Sequence, residues 1–590
     1  MSPPLTRREL ALLAIGALAV AVAMHWPLVL HLGEDVPKDL GDPLSQAWQV
    51  AWGGHALATQ PLEYFQSNQF WPLRDSLAFS DALIGYAPAG VVGEGFAAAI
   101  ARYDVLFLFA YALAFAGAHL LGRELGLGRL PAAMAGAAYA YAPWRLEQDG
   151  HMHVISSGGI PLSLFLLVRG YRRGRPGLLV AGWAVAAWQL SIGFSLGLQL
   201  AYLLGALGAG WALWWLRRRP RPRLDRRLAV ATAAGVLVFA ATAVVLSRPY
   251  LRVVDDHPEA QRSAATVADY SGPVWELLVA PGENLVWGPA TAPLRERLNA
   301  VPEQTLFPGL TILGLALAGL GSAAYGRRLR LGLGAGAALL TALALGFPDS
   351  WARWLTPYWY LYELAPGWSA IRVPGRMLTL LTLALALLAG AGAQRVLARV
   401  ERRGAKGPPR ITPRAAGESS KRPAPRTAGK GPGRLAPRAA GVALVALVLL
   451  EGSGWDLDGL RPKGPAHPTV PTPPPGQLAA PAPRLHLPTE AQDNRRYLIW
   501  STEGFPEMVN GRSSFMPRQF AEVRRATARF PDASSTAFLR RLGVRTVIVH
   551  LDRRDGPPPP PGLGLEREVR GRIALYDLAP GARPEPRDSR

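Results

Sequence analysis

The chain has 590 residues, 49% hydrophobic and 18% charged, and its apolar residues come in long blocks that leave the mean hydropathy positive. It is too apolar for an ordinary soluble protein and reads as an α-helical polytopic membrane protein with about eleven transmembrane helices. The net charge of +22 comes from arginines gathered in short runs between apolar blocks, which points to anionic lipid rather than nucleic acid, and zero cysteines exclude disulfides, thiolate metal sites and cysteine nucleophiles.

In chain order, Arg7 and Arg8 precede an apolar run over 10–32, long enough to span about 30 Å of hydrocarbon at roughly 1.5 Å per residue. A signal peptide is the alternative, but the length and the Trp26-Pro27 pair without a small-residue cleavage site favour a retained anchor that starts in the cytoplasm. Basic loops follow at 123–129, 169–175, 217–227, 327–330 and 399–438. If all are cytoplasmic, an even number of crossings must separate neighbours, and the apolar blocks 131–143 with 154–169, 177–192 with 194–216, 228–247 with 303–325, and 331–347 with 374–398 satisfy this. Segments 82–100 and 104–122 compete for a single crossing. The first carries Asp81, Pro88, Glu94 and internal glycines, so it is expected to lie as a helix on the outer surface, within a first outer loop over 33–102.

These blocks define a transmembrane domain over 1–398, followed by a basic, disordered cytoplasmic linker over 399–438 and a last transmembrane helix over 439–452. A proline-rich linker over 453–490 then leads to a small extracytoplasmic α/β domain over 491–590. In that domain, strands are expected at 496–500, 544–550 and 572–578, and a helix over 532–542 ended by Gly543. Packing or substrate guidance without catalysis is the plainer role for this domain.

The candidate chemistry lies in the outer loops. Asp35, Asp39 and Asp42 sit in Asp35-Val36-Pro37-Lys38-Asp39-Leu40-Gly41-Asp42-Pro43, where Gly41 and Pro43 fix the backbone around the last carboxylate. They are either solvated carboxylates capping a turn or, for Asp42, a general base within reach of an attacking hydroxyl. The loop over 144–153 packs Arg145, Glu147, Asp149, His151 and His153 into one turn. His-X-His beside a carboxylate can hold a divalent metal, with Mg and Mn as the candidates, or the histidines simply hydrogen-bond to backbone. Arg372 and Arg376 flank Pro374 where a transmembrane helix starts, suited to gripping a phosphate or to snorkelling toward head groups. The outer loop over 248–302 offers Tyr270 and Trp275, either as stacking surfaces for a sugar or as part of the interfacial aromatic belt.

Four stretches carry a resemblance: Gly41-Asp42-Pro43-Leu44, Glu303-Gln304-Thr305-Leu306-Phe307-Pro308-Gly309, Arg372-Val373-Pro374-Gly375-Arg376 and Leu542-Gly543-Val544-Arg545-Thr546-Val547-Ile548-Val549-His550. With the long first outer loop, they make the chain resemble the GT-C superfamily of integral-membrane glycosyltransferases. More narrowly, it resembles a group of large bacterial multi-pass proteins assigned to that superfamily, and the likeness covers nearly the whole chain apart from 399–438. The resemblance implies transfer of a hexosyl or pentosyl sugar from a polyprenyl-phosphate donor to a glycan, lipid or protein acceptor on the outer face of the bacterial cytoplasmic membrane. It further implies Asp42 as base and Asp149 as a second functional carboxylate by position; the chemistry of the residues themselves would put Arg372 and Arg376 on the donor phosphate and Asp39, Glu147, His151, His153, Tyr270 and Trp275 on substrate. The family often has adjacent acidic residues where this chain has Gly41-Asp42, which bears on the base assignment and on any metal dependence. Two other functions fit the sequence: a transporter or flippase of lipid-linked sugars, and a non-catalytic scaffold.

Overall fold

The computed structural model describes residues 5–220, 224–405, 435–456, 461–462, 467–477, 479–553, 560 and 565–578. Residues 406–434 of the expected basic linker, with parts of the proline-rich linker and the last residues of the chain, lie outside the described residues.

The chain is mostly helical because its long Ala- and Leu-rich blocks satisfy their backbone groups internally, as a bilayer demands. Among the described residues, five helices are long and apolar enough to cross a membrane: Gly95–Leu125, Met152–Arg173, Phe194–Arg217, Arg226–Asp256 and Pro374–Arg403; Pro176–Ile192 and Leu310–Leu320 are shorter apolar helices. The Pro374–Arg403 span is almost wholly buried, whereas Phe194–Arg217 and Arg226–Asp256 expose apolar flanks such as Leu237, Val244, Val245 and Trp211. The first is the axis of the bundle and the other two are its lipid-facing wall. Small residues bring the axis close to its neighbour: a Cβ on Gly319 would lie 2.0 Å from the Leu388 carbonyl oxygen, and one on Gly392 would lie 2.0 Å from that of Leu315. Only glycine fits at this crossing.

One end of the bundle is tied together by buried ion pairs. Glu9 accepts from Arg123 at 2.7 Å and from Arg129 at 3.1 Å, and Glu124 pairs with Arg169 at 2.7 Å and Arg172 at 3.7 Å. The start of the first helix, Arg7–Met24, therefore shares an end with the basic turns 123–129 and 169–175. The opposite end carries the acidic loop, the turn over 144–153 and the C-terminal domain.

Two outer elements differ from expectation. Residues 82–100 do not form a surface helix. They give a short 3-10 turn at Ile84–Tyr86, one helical turn at Ala87–Gly90, and the start of the long span at Gly95. Pro88, Gly90 and the positive-φ Gly93 and Gly95 break the apolar run. The outer helix is instead Asp42–Thr59, buried over most of its length. Its Gly54 lies against Gly90 so closely that a Cβ there would come within 2.0 Å of the Gly90 backbone.

The C-terminal domain has a four-stranded sheet in the order Arg484–Leu487, Thr546–His550, Ile573–Asp577, Glu566–Arg570, parallel in the first pairing and antiparallel in the others. Expected strands at 544–550 and 572–578 are present, as is the helix Ala533–Leu542, capped by Asp532 and ended by Gly543 at φ 86°. The strand expected at 496–500 is instead the end of helix Ala491–Trp500, whose Tyr497, Leu498, Ile499 and Trp500 all pack inward. The domain docks on the first outer loop through backbone pairing: Phe70 N donates to Asn510 O at 3.2 Å, Trp71 N to Met508 O at 3.0 Å and Met508 N to Asn68 O at 2.9 Å. Asn68 fixes the joint, accepting from Trp48 and donating to Ser501 Oγ and the Pro506 carbonyl.

Candidate active site

Asp42 opens the outer helix as its first residue, with Pro43 next, so its carboxylate lies where the helix dipole favours negative charge. The preceding turn is closed by Asp39, whose Oδ1 accepts from Gly41 N at 2.7 Å; a Cβ on residue 41 would come within 2.5 Å of that oxygen. Asp42 Oδ1 accepts from Arg495 at 2.9 Å, and its Oδ2 lies 3.5 Å from His151 Nε2. Burial opposes ionisation here, but His151 and Arg495 outweigh it and hold the carboxyl well below the usual carboxylate range. At 39% exposure the carboxylate stays open to solvent.

A cavity of about 420 Å³ opens beside it, lined by Lys38, Asp39, Asp42, Glu147, His151, Gln492 and Arg495, among others. The turn over 144–153 is set by buried bonds. Trp144 donates its indole N–H to Thr382 Oγ1 at 2.9 Å, Arg145 donates to Ser157 Oγ and the Ile155 carbonyl, and Met152 N donates to Gln46 Oε1 at 2.7 Å. Gln148 fixes the His151 ring. Its amide N–H₂ donates to the Pro302 carbonyl at 2.7 Å, so its Oε1 accepts from His151 Nδ1–H at 2.9 Å. His151 Nε2 then donates to Asp42 only when the ring is an imidazolium.

Behind this layer, His153 Nε2 lies 3.1 Å from Arg376, whose other terminal nitrogen donates to Glu303 at 2.7 Å. Burial works against the Glu303 charge, but Arg376 dominates and lowers its carboxyl. Gly375 lets the two strands of this contact approach, a Cβ there lying 2.8 Å from the Glu303 carbonyl oxygen. The motif's Gly309, at φ 99°, turns the chain into helix Leu310–Leu320, whose first N–H groups donate to the Glu451 carboxylate at 2.6 and 2.9 Å. Arg372 stacks over Tyr270, 4.7 Å from the ring centroid. It is close enough to His153 and Glu303 for its charge to bear on both.

Asp39, Asp42, Glu147 and His151 thus share one cavity, and His153, its ring centroid 5.8 Å from that of His151, leads from it to Arg376; Arg372 and Tyr270 do not line it. Asp149 does not line it. Its carboxylate accepts from Tyr111, lies 3.9 Å from His25, and is pushed up to about 7 by burial. Trp275 stands instead under Arg297, 5.7 Å from its ring. Among the described residues no group of three His, Asp or Glu side chains converges in a way that holds a metal ion, because His151 and His153 turn to different partners.

Sequence reasoning passed over Lys38, Glu303 and Arg495. Lys38 donates to Glu283 at 2.6 Å and lies 3.3 Å from Glu147; burial opposes its charge, and the two carboxylates outweigh burial and hold it protonated. Lys38 stands inside the acidic stretch quoted above, next to Asp39, and Glu303 opens the second of the quoted motifs. Arg495 had no such signal, since it comes from the C-terminal domain.

No protein-family model and no curated protein matches the chain. The structure of the arabinofuranosyltransferase AftD from Mycobacteria aligns with 98% of this chain and 42% of that chain, at TM-score 0.51 and 16% identity. The apo oligosaccharyltransferase of Archaeoglobus fulgidus aligns with 93% of this chain and 70% of that chain, at TM-score 0.44 and 13% identity. The chain therefore spans less than half the length of the arabinofuranosyltransferase. The chain shares its fold with that arabinofuranosyltransferase.

Proposed function

We propose that the protein is a membrane glycosyltransferase that moves a hexosyl or pentosyl group from a polyprenyl-phosphate donor to a glycan, lipid or protein acceptor at the outer face of a bacterial cytoplasmic membrane. In this reading the chain crosses the membrane about eleven times, with the N-terminus in the cytoplasm and the C-terminal domain outside. The observation that carries the reading is the Asp42 cavity. An ionised, solvent-accessible carboxylate opens onto about 420 Å³ of space at one end of an apolar bundle, with Arg376 behind it across the His151–His153 pair. A lipid-linked sugar needs this combination, with its isoprenoid in the bilayer and its phosphate at head-group depth.

In this mechanism the acceptor hydroxyl gives its proton to Asp42 as its oxygen bonds to the sugar's anomeric carbon. The bond from that carbon to the phosphate oxygen breaks, and the electron pair stays on the phosphate. Arg376 and Arg372 take up that charge, so no general acid is required. Asp39, Glu147, His151 and Tyr270 contact substrate, and His153 orients Arg376. Asp149, bonded to Tyr111, positions the turn rather than touching the reacting atoms.

The test is transfer of labelled sugar from a polyprenyl-phosphate donor by purified protein in vesicles. Asp42→Asn is expected to abolish product formation, a loss of about 10²–10⁴-fold or more, with unchanged folding and insertion. Normal transfer by that variant removes Asp42 as base; movement of label across the bilayer without product selects a transporter.

A further inference from the structure

Two arginines without a part in the transfer chemistry stand where the C-terminal domain meets the outer loops. Arg512 follows Gly511, which has no room for a side chain: a Cβ there would come within 2.6 Å of the Phe70 ring. Arg512 N donates to Gln69 Oε1 at 3.1 Å, and Ser514 donates twice to the Phe79 carbonyl, from its N–H at 3.2 Å and its hydroxyl at 2.6 Å. From the other side, Arg262 donates to the Ser514 carbonyl at 3.1 Å, while its own carbonyl accepts from Tyr362 at 3.0 Å. The segment 510–514 is therefore gripped on both flanks.

Arg512 is close enough to Arg495, Asp42, Arg372 and Tyr270 for their charges to bear on it, and Arg262 stands in the same relation to Arg372 and Tyr270. Burial first, then the neighbouring arginines, work against the charge on both, and for Arg512 the opposite charge of Asp42 offsets this in part. Among the described residues, no carboxylate ion-pairs with Arg262, Arg372 or Arg512, whereas Arg376 has Glu303 and Arg495 has Asp42. Half-buried guanidinium groups with no ion-pairing carboxylate of their own, and only Asp42 as an opposite charge near Arg512, favour a multivalent anion.

We propose that Arg262, Arg372 and Arg512, with Arg495 at the cavity edge, form one anion site shared by the membrane domain and the C-terminal domain, which takes a phosphate group carrying two negative charges. The charge count sets the ligand class. A sugar-linked phosphodiester carries one negative charge, whereas a phosphomonoester or a diphosphate carries about two. If the transfer reading holds, which this lipid assignment requires, the occupant is the departing polyprenyl phosphate. Its second charge arises as the bond to the sugar breaks, so the site acts on the leaving group more than on the donor. The C-terminal domain then completes the site rather than merely covering it.

The test is equilibrium binding to the purified full chain, with inorganic pyrophosphate and polyprenyl phosphate as separate probes. Wild type is expected to bind, and Arg512→Gln and Arg262→Gln each to bind about tenfold more weakly, while Arg512→Lys recovers most of the loss. Asp42→Asn is expected to bind no more weakly than wild type. Tighter binding of the lipid probe identifies a lipid-borne phosphate; equal or tighter binding of pyrophosphate identifies a soluble one, and either supports the site. Absence of binding by wild type, or wild-type affinity in both Gln variants, overturns it. The two proposals fail separately: normal transfer by Asp42→Asn removes the base and leaves the anion site standing, whereas unchanged binding in the Gln variants removes the site and leaves the base.

Discussion

At the scale of single residues, the candidate site is a set of competing pulls on one carboxylate. Asp42 could be picked out because it stands beside Gly41 and Pro43 in a loop that leaves an apolar block. Its partner Arg495, 453 positions away, could not be, since no local pattern reports a contact between domains. That partner makes a pH prediction. Arg495 is one of the charges lowering the Asp42 carboxyl, so Arg495→Gln leaves it protonating at higher pH. The acid limb of kcat/KM for sugar transfer is expected to move to higher pH in that variant; a limb that stays in place contradicts the ion pair. A second prediction concerns Glu303, whose partner Arg376 is buried to 14% exposure. Glu303→Gln leaves that charge uncompensated, at a cost of about 3 kcal/mol. The lowered carboxyl of Glu303 contributes stability that is present above its unfolded pKa and lost as pH falls through its folded one. Thermal unfolding followed against pH is expected to show wild type and variant converging toward acid, and a constant gap would contradict this.

At the scale of elements, the apolar blocks between arginine runs mark the helices well, because in lipid a long apolar run has few other ways to satisfy its backbone. The block 194–216 is helix Phe194–Arg217, and 374–398 falls within Leu378–Ala405 and the turn before it. Failures came where periodicity competes with packing. The helix Asp42–Thr59 hides behind Asp42, Ser45, Gln46 and Gln49, polar residues of which the last three are nonetheless buried by the fold. The 496–500 stretch is rich in residues that favour strands, yet it is helical, and its Tyr497 stacks on His486 and His550 of the sheet while the helix packs against Asp42–Thr59. Strand Glu566–Arg570 went unseen because it is an exposed, charged edge. Glycine contacts leave no trace in hydropathy, but they carry consequences. Gly54→Leu would force the outer helix off the Gly90 backbone, with an expected loss of about 1–3 kcal/mol or more, read as a lower melting temperature; an unchanged melting temperature would mean that this crossing is loose.

At the scale of the whole molecule, the two ends of the bundle are chemically distinct. Ion pairs of Glu9 and Glu124 knit the basic turns at one end, while the cavity, the arginine cluster and the C-terminal domain occupy the other. Because the chain has no cysteine, single introduced thiols report sidedness cleanly. Leu62→Cys, at a fully exposed position beyond the outer helix, is expected to react with a membrane-impermeant maleimide in intact cells, and Arg173→Cys only after permeabilisation; the reverse pattern would invert the topology. What the sequence could not show at this scale was convergence. The acidic loop, the turn over 144–153 and the Arg372-Arg376 pair were candidates by chemistry, and only folding brings them within a few side chains of one another. The most direct measurement of that convergence is the structure of the protein with polyprenyl phosphate bound. The account predicts the phosphate within hydrogen-bond distance of Arg372 or Arg376, facing the Asp42 cavity, with the isoprenoid running along the bundle; a phosphate seated at the Glu9 and Glu124 end, or separated from Asp42 by packed protein, would contradict it.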